Sequence, residues 1–63
     1  MKYLVGEVRR ANGMSLRRLS RQARVSKSYL QRIEAGEAKP SLETMVRIAR
    51  TLGVSVEGLY CLK

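Results

Sequence analysis

The side chains able to do chemistry in this sequence are almost all cationic. Of its 63 residues, 13 are Lys or Arg and five are acidic, all of them Glu, so the formal net charge is +8; there is no His and one Cys. Catalysis needs a nucleophile beside an acid or a base, and zinc sites need clustered Cys and His ligands. We therefore expect no enzyme, no metal and no cofactor, and the charge favours a polyanionic partner.

The basic residues are unevenly distributed along the chain. No acidic residue lies between Glu7 and Glu34, whereas acidic and basic residues nearly balance from Pro40 onward. This asymmetry predicts that the first part of the chain faces a polyanion and that the second part serves packing or self-association. The basic residues between the two glutamates are Arg9, Arg10, Arg17, Arg18, Arg21, Arg24, Lys27 and Arg32.

Capping and turn residues divide the chain into five short helical segments, and no strand pattern competes with them. Serines precede several segments and glycines follow them, as is typical of helix starts and ends. The sequence predicts an all-α, compact five-helix bundle that forms one domain over residues 1–63. The predicted helices cover residues 3–12, 16–23, 27–35, 42–52 and 56–62, with apolar inner faces at Leu4, Val5, Val8, Leu16, Leu19, Ala23, Leu30, Ile33, Leu42, Met45, Ala49 and Leu52.

The second and third segments have the pattern of a helix-turn-helix over about residues 16–35. Leu19 and Ala23 are placed to pack against the apolar face of the next helix. Val25 lies in the three-residue turn, where its burial fixes the angle between the two helices. Ser20 is small at the point where the helices cross closely.

From Leu4 through Tyr60 the chain resembles the lambda-repressor-like, or Cro-type, family of helix-turn-helix proteins. The run VSKSYLQRIEAGEAKPS, the pairing of Arg9 with Glu34 and the closing LGVSVEGL carry the resemblance. It implies a five-helix bundle that binds a two-fold symmetric DNA operator as a dimer, with Arg9 and Glu34 as a structural ion pair.

Two positions depart from the family pattern, which usually has Gln at Leu16 and Gly at Arg24. Leu16 removes a side chain that helps to bind a phosphate in relatives, so Arg17 or the start of the helix is expected to make that contact. Arg24 has to adopt a conformation that glycine adopts more easily.

The exposed face of the third helix holds the candidates for DNA contact. Ser28 and Arg32 lie one turn apart on that face, and Arg32 has two parallel donors suited to guanine O6 and N7. Two alternatives stay open: the arginines of the second helix also fit an ordinary solvated face, and Tyr29 also fits packing along the helix seam. The base-contacting candidates are Lys27, Ser28, Gln31 and Arg32, and the phosphate candidates are Arg17, Arg21, Ser26, Tyr29 and Lys39.

Apolar residues are more frequent over residues 54–62 than one short helix can bury. We predict a dimer interface there, in a homodimer whose recognition helices lie about 34 Å apart. The predicted interface residues are Val54, Val56, Leu59, Tyr60 and Leu62.

These features predict a cytoplasmic transcriptional regulator of prokaryotic or phage type, with repression as the favoured role. It binds double-stranded DNA in a sequence-specific manner, and the sequence has no stretch long enough for a membrane span. One alternative is an antitoxin-type or anti-activator module that binds a regulatory protein partner. An RNA-binding or membrane-active cationic peptide is disfavoured, because the charges lie on capped helices and no second aromatic residue joins Tyr29 for base stacking.

Overall fold

The computed structural model of the protein describes residues 2–61. Four α-helices account for most of this part of the chain, and two short strands and a 3-10 turn complete it. The elements are β1 (Lys2–Tyr3), α1 (Val5–Ala11), α2 (Leu16–Ala23), α3 (Lys27–Glu34), α4 (Leu42–Leu52), the 3-10 turn Val56–Leu59, and β2 (Tyr60–Cys61). The all-α class is confirmed, with one short two-stranded sheet that the sequence analysis did not expect. Within residues 2–61 no helix combines the length and apolar character needed to span a bilayer.

Three serines cap the helices that follow them, as the sequence analysis predicted for the serines that precede helical segments. Ser15, Ser26 and Ser41 have extended backbones, and each Oγ accepts a hydrogen bond from the backbone N–H three residues later, at 3.0, 3.1 and 3.2 Å. Such a cap contributes about 1 kcal/mol of stability. Helices of 8 to 11 residues are marginal in isolation, so these caps and the tertiary packing together stabilise them.

Arg24 ends α2 in the left-handed region, at φ 58° and ψ 45°. It is the one residue other than glycine with a positive φ in the described range 2–61. A side chain with a Cβ is disfavoured there by roughly 1–2 kcal/mol. The expectation that Arg24 must adopt a glycine-like conformation is therefore confirmed.

The predicted fifth helix over residues 56–62 is wrong. A 3-10 turn occupies Val56–Leu59, and the extended β2 then pairs antiparallel with β1, with Lys2 opposite Cys61 and Tyr3 opposite Tyr60. The bundle therefore has four α-helices instead of five, and α1 begins at Val5 and not at Tyr3. Pairing the two terminal segments satisfies backbone groups that a short fifth helix would have left at its ends.

The core forms where α2 packs against α3 and α4. Its fully buried side chains are Val5, Leu19, Leu30, Ile33, Ile48 and Leu59. One predicted core position is wrong, because Leu42 is 73% exposed. Leu42 is the first residue of α4, and the inner stripe instead runs through Met45, Ile48, Ala49 and Leu52.

Candidate nucleic-acid interface

The turn between α2 and α3 fixes the start of α3. The Ser20 hydroxyl donates a hydrogen bond to the Val25 carbonyl oxygen at 2.6 Å, and the Val25 N–H donates to the Ser20 carbonyl oxygen at 3.1 Å. Val25 itself is buried in the core. Since Leu30 and Ile33 are also buried, the opposite side of α3 faces solvent.

An ion pair fixes the other end of α3. Arg9 Nε lies 2.8 Å from Glu34 Oε2, and Arg9 Nη2 donates to Glu34 Oε1 at 3.2 Å. The third guanidinium nitrogen, Nη1, donates to the Met14 carbonyl oxygen at 3.0 Å, so one side chain joins α1, α3 and the loop after α1. The Arg9 and Glu34 side chains are only 13% and 15% exposed. The two side chains are mostly buried and joined by two hydrogen bonds, which is the arrangement of a structural ion pair.

Gly6 allows α1 to approach this ion pair closely. A Cβ at that position would lie 3.0 Å from Glu34 Oε1, which is tighter than an ordinary contact. The carboxylate cannot easily move away, because two guanidinium nitrogens of Arg9 hold it. The lack of a side chain at residue 6 therefore lets α1 pack against the ion pair that holds the end of α3.

The four base-contacting candidates all lie exposed on α3. Lys27 and Ser28 occupy its first turn, and Gln31 and Arg32 lie one turn further on. None of the four side chains forms a hydrogen bond or ion pair with any residue of the described chain. At about 12 Å in length, α3 is short enough to present its whole exposed side in a major groove.

The phosphate candidates lie on three neighbouring segments. Arg17 and Arg21 are exposed on α2, where they line a depression of about 440 Å³. Ser26 accepts the capping bond of α3 through its oxygen, which leaves its hydroxyl proton free for another acceptor. Lys39 is exposed in the loop after α3.

Tyr29, a phosphate candidate in the sequence analysis, forms a hydrogen bond within its own chain. Its ring is half-buried against the core, and its hydroxyl donates to the Lys39 carbonyl oxygen at 3.4 Å. Tyr29 therefore holds the loop that carries Lys39 against α3. Nothing in the sequence signals this contact, because it joins two residues ten positions apart, one on α3 and one in the irregular loop after it.

A larger depression has a mixed electrostatic character. It measures about 670 Å³ and includes three glutamates, Glu7, Glu34 and Glu37, beside Arg10 and Lys39. Among residues 2–61, no group of three His, Cys, Asp or Glu residues is placed to hold a metal ion.

The predicted dimer residues have different environments. Val54, Val56 and Tyr60 are half-buried and pack partly against the core. Leu59 is fully buried in the core of its own chain, so it is unavailable to a partner and its assignment to the interface is corrected. Leu62 lies outside the described residues.

A helix-turn-helix family model matches residues 5–59, which is most of the chain. The chain belongs to the lambda-repressor-like, Cro/C1-type helix-turn-helix family. This confirms the resemblance found in the sequence. The family comprises DNA-binding domains of transcription regulators and is not a class of enzymes.

Two sequence relatives are HTH-type transcriptional regulators. DdrOP3 from Deinococcus deserti is 38% identical over 53 residues, which cover 84% of this chain and 41% of that protein. An uncharacterized regulator from Mycobacterium tuberculosis is 43% identical over 47 residues, covering 75% of this chain and 34% of that protein. The chain thus spans less than half the length of these relatives.

Solved structures show the same fold. The N-terminal DNA-binding domain of SinR from Bacillus subtilis is 35% identical, with a TM-score of 0.83, over 94% of this chain and 87% of that one. The restriction-modification controller protein C.AhdI from Aeromonas hydrophila is 27% identical, with a TM-score of 0.85, over 89% of this chain and 85% of that one.

Proposed function

We propose that this domain binds double-stranded DNA in a sequence-specific manner and regulates transcription by inserting α3 into the major groove. The observation that supports this most directly is the exposed side of α3. Its four polar side chains have no partner within the described chain, on a helix held at both ends. Donors that are free in the protein and lie on a helix of fixed position are suited to hydrogen bonds with base edges.

In this proposal the residues of α3 make different contacts with the bases. Lys27 and Ser28 enter the groove first, because they occupy the first turn of the helix. Arg32 donates two parallel hydrogen bonds to O6 and N7 of a guanine, which is the commonest specific contact between proteins and DNA. Gln31 lies between them and is suited to an adenine edge.

Phosphate contacts then fix the register of the domain on the duplex. Arg17, Arg21, Ser26 and Lys39 supply these contacts from the segments that flank α3. Tyr29 contributes by holding the Lys39 loop in place, since its hydroxyl bonds to the Lys39 carbonyl. Each neutralised phosphate releases condensed counterions, so affinity falls as the salt concentration rises.

We further propose that the domain, with its helix-turn-helix at about residues 16–35, acts as a homodimeric repressor. One half-site alone buries little surface, so a dimer on a two-fold symmetric operator is needed for useful affinity. The half-buried Val54, Val56 and Tyr60 are the residues that support a contact at residues 54–62. Occupying the operator is enough to exclude competing proteins from the same DNA.

Selection of bound duplexes from a random pool tests this function. The expected product is a motif of two symmetric half-sites whose centres are separated by about 34 Å, or roughly one helical turn. Sedimentation of the complex should show two protein chains for each selected duplex. Arg10→Ala, which changes an exposed cation on α1, should select the same motif. Pools without a shared motif would contradict specific binding, and a single chain on each duplex would contradict the dimer.

A second candidate function is an antitoxin-type or anti-activator module that acts through a protein partner. It has support in the likeness to a chain of the SinR/SinI protein complex, which is 34% identical with a TM-score of 0.81 over 86% of this chain and 53% of that one. In that case the random pool would yield no motif, and a purified partner would bind with an affinity that added DNA does not change.

A further inference from the structure

A second basic site lies where the end of α2 meets α4. Arg24, Arg47 and Arg50, here called the α2–α4 arginine cluster, line a depression of about 190 Å³ together with Gln22, Ala23 and Thr51. No carboxylate lines this depression. The sequence analysis placed the excess of positive charge in the first part of the chain. The fold creates a second group of positive charges, in which Arg24 of that first part lies beside two arginines more than 20 positions later.

Little in the protein neutralises these three guanidinium groups. Arg47 has one acidic partner, Glu43, at 3.4 Å, in a pair whose side chains are 46% and 78% exposed. Such exposed pairs contribute little and are screened by salt. The Arg24 and Arg50 side chains form no hydrogen bond or ion pair with the described part of the chain.

Two unfavourable features coincide at this cluster. Arg24 holds a left-handed backbone conformation, φ 58°, that a glycine would adopt without strain. Its side chain also adds a third positive charge beside Arg47 and Arg50, which lie three residues apart on one side of α4. A glycine at residue 24 would remove both costs. An anion bound between the guanidinium groups would offset the repulsion, because it attracts all three of them.

The cluster lies at the C-terminal end of α2 beside α4, and its depression borders the one lined by Arg17 and Arg21 at a shared residue, Gln22. Ser20, whose hydroxyl bonds the turn before α3, and Gln22, which lines the depression, are about 200° apart around α2. Arg24 is also about 13 Å along α2 from its N-cap Ser15, and Arg50 is about 13 Å along α4 from its N-cap Ser41, so the cluster lies at the C-terminal ends of both helices. DNA seated on α3 therefore leaves the cluster open to solvent, a placement that rests on the function proposed above.

The chemistry of the site selects oxyanions. A guanidinium group bonds a carboxylate or a phosphate through two parallel N–H donors, and the amide of Gln22 is a further donor. The depression is small and no aromatic side chain lines it, so it does not suit a nucleotide base. Duplex DNA is stiff over about 150 base pairs, so the operator held by α3 does not bend back to this side.

We propose that the α2–α4 arginine cluster is a docking site for an acidic segment of a partner protein. Asp or Glu carboxylates of that segment lie between the guanidinium groups of Arg24, Arg47 and Arg50. The partner binds while α3 remains on DNA. The domain thereby has two anion-binding surfaces that meet at Gln22, one for phosphates and bases and one for protein carboxylates.

Titration of the ¹⁵N-labelled protein with a hexaglutamate peptide, in the absence of DNA, tests the proposal. Amide signals of residues 22–24 and 47–51 should shift together. The double variant Arg24→Gly/Arg50→Gln should raise the Kd for the peptide at least tenfold. Arg10→Gln/Arg18→Gln removes the same charge elsewhere and should change the Kd by a factor of about two or less. Equal weakening in both variants would overturn the site, because binding would then follow net charge alone.

Two further arms distinguish the source of the anion. The cluster variant should bind the selected operator within a factor of about two of the parent, with an unchanged salt slope; a slope lowered by about one unit for each lost contact would assign the cluster to DNA phosphate instead. Inorganic phosphate that shifts the same signals while hexaglutamate does not would assign a small-anion site. Either result overturns docking of an acidic segment.

The fold and the proposed function are controlled separately. Arg24→Gly relieves backbone strain, so the variant should melt at or above the temperature of the parent. The peptide titration contains no DNA, so a parent protein that fails to select an operator would refute the DNA function and leave the peptide result intact.

Discussion

The inner and outer sides of α3 differ in their burial and in their contacts. On the inner side Leu30 and Ile33 are fully buried, whereas on the outer side Ser28 and Arg32 are exposed and have no partner in the described chain. The inner side decides where the helix lies and the outer side decides what it can bind. Since none of these four side chains takes part in both, stability and recognition should be separable by mutation at these positions.

The two ends of α3 are held by different interactions. The start depends on short hydrogen bonds of the turn and on the burial of Val25, and these do not involve charge. The end depends on the ion pair of Arg9 with Glu34, which joins three segments. A substitution that removes the turn contacts or the ion pair should therefore lower the stability of the domain before it changes base preference.

Leu30→Ala should have the largest effect, on stability. Removing a fully buried leucine side chain costs about 2–5 kcal/mol, and a domain of this size has only a few kcal/mol in total. Denaturant unfolding followed by circular dichroism measures the loss. Ser28→Ala, on the other side of the same helix, is the control and should stay within about 0.5 kcal/mol of the parent. Similar losses in both variants would contradict the assignment of the two sides.

Glu34→Ala should lower the free energy of unfolding by about 1–3 kcal/mol, because it leaves a mostly buried guanidinium without its carboxylate. For a domain of this size each kcal/mol lowers the Tm by about 4–8 °C. Glu34→Gln keeps one hydrogen-bond acceptor and should lose less. A thermal melt that matches the parent would show that the pair contributes nothing. Base preference should persist at temperatures where the variant is folded.

Arg32→Ala should leave stability unchanged and weaken binding to the selected operator by about 1–3 kcal/mol. The loss on scrambled duplexes should be much smaller, and preference at one base pair in each half-site should disappear. Binding to both duplexes is measured across a salt series. If the variant weakens both equally while preference survives, Arg32 contacts the backbone, and recognition passes to Lys27, Ser28 and Gln31.

Lys39→Ala should have the smallest effect and should weaken every duplex alike. The slope of affinity against salt should fall by about one unit for each lost phosphate contact, and so by about two for a symmetric dimer. Tyr29→Phe removes the hydroxyl that bonds the Lys39 carbonyl and should reproduce part of this change. A change in base preference in the Lys39 variant would place its side chain in a groove and not at the backbone.

Local interactions made several parts of this fold predictable from the residues. The serine caps of α2, α3 and α4 depend on hydrogen bonds that span three residues, and the left-handed end at Arg24 depends on the turn it occupies. The apolar spacing of Leu19, Leu30 and Ile33 indicated which sides of α2 and α3 face the core. The sequence likewise paired Arg9 with Glu34, through its likeness to a family in which they recur.

What required the tertiary structure were the places where distant segments meet. The segment after Ser55 became a turn and a strand because β1 was available to pair with it, and that pairing left Leu59 in the core. Leu42 continues the apolar spacing of α4 but has no neighbour to cover it. The α2–α4 arginine cluster forms only once α4 packs beside the end of α2. Periodicity states which side of a helix is apolar, whereas burial depends on whether another part of the chain reaches that side.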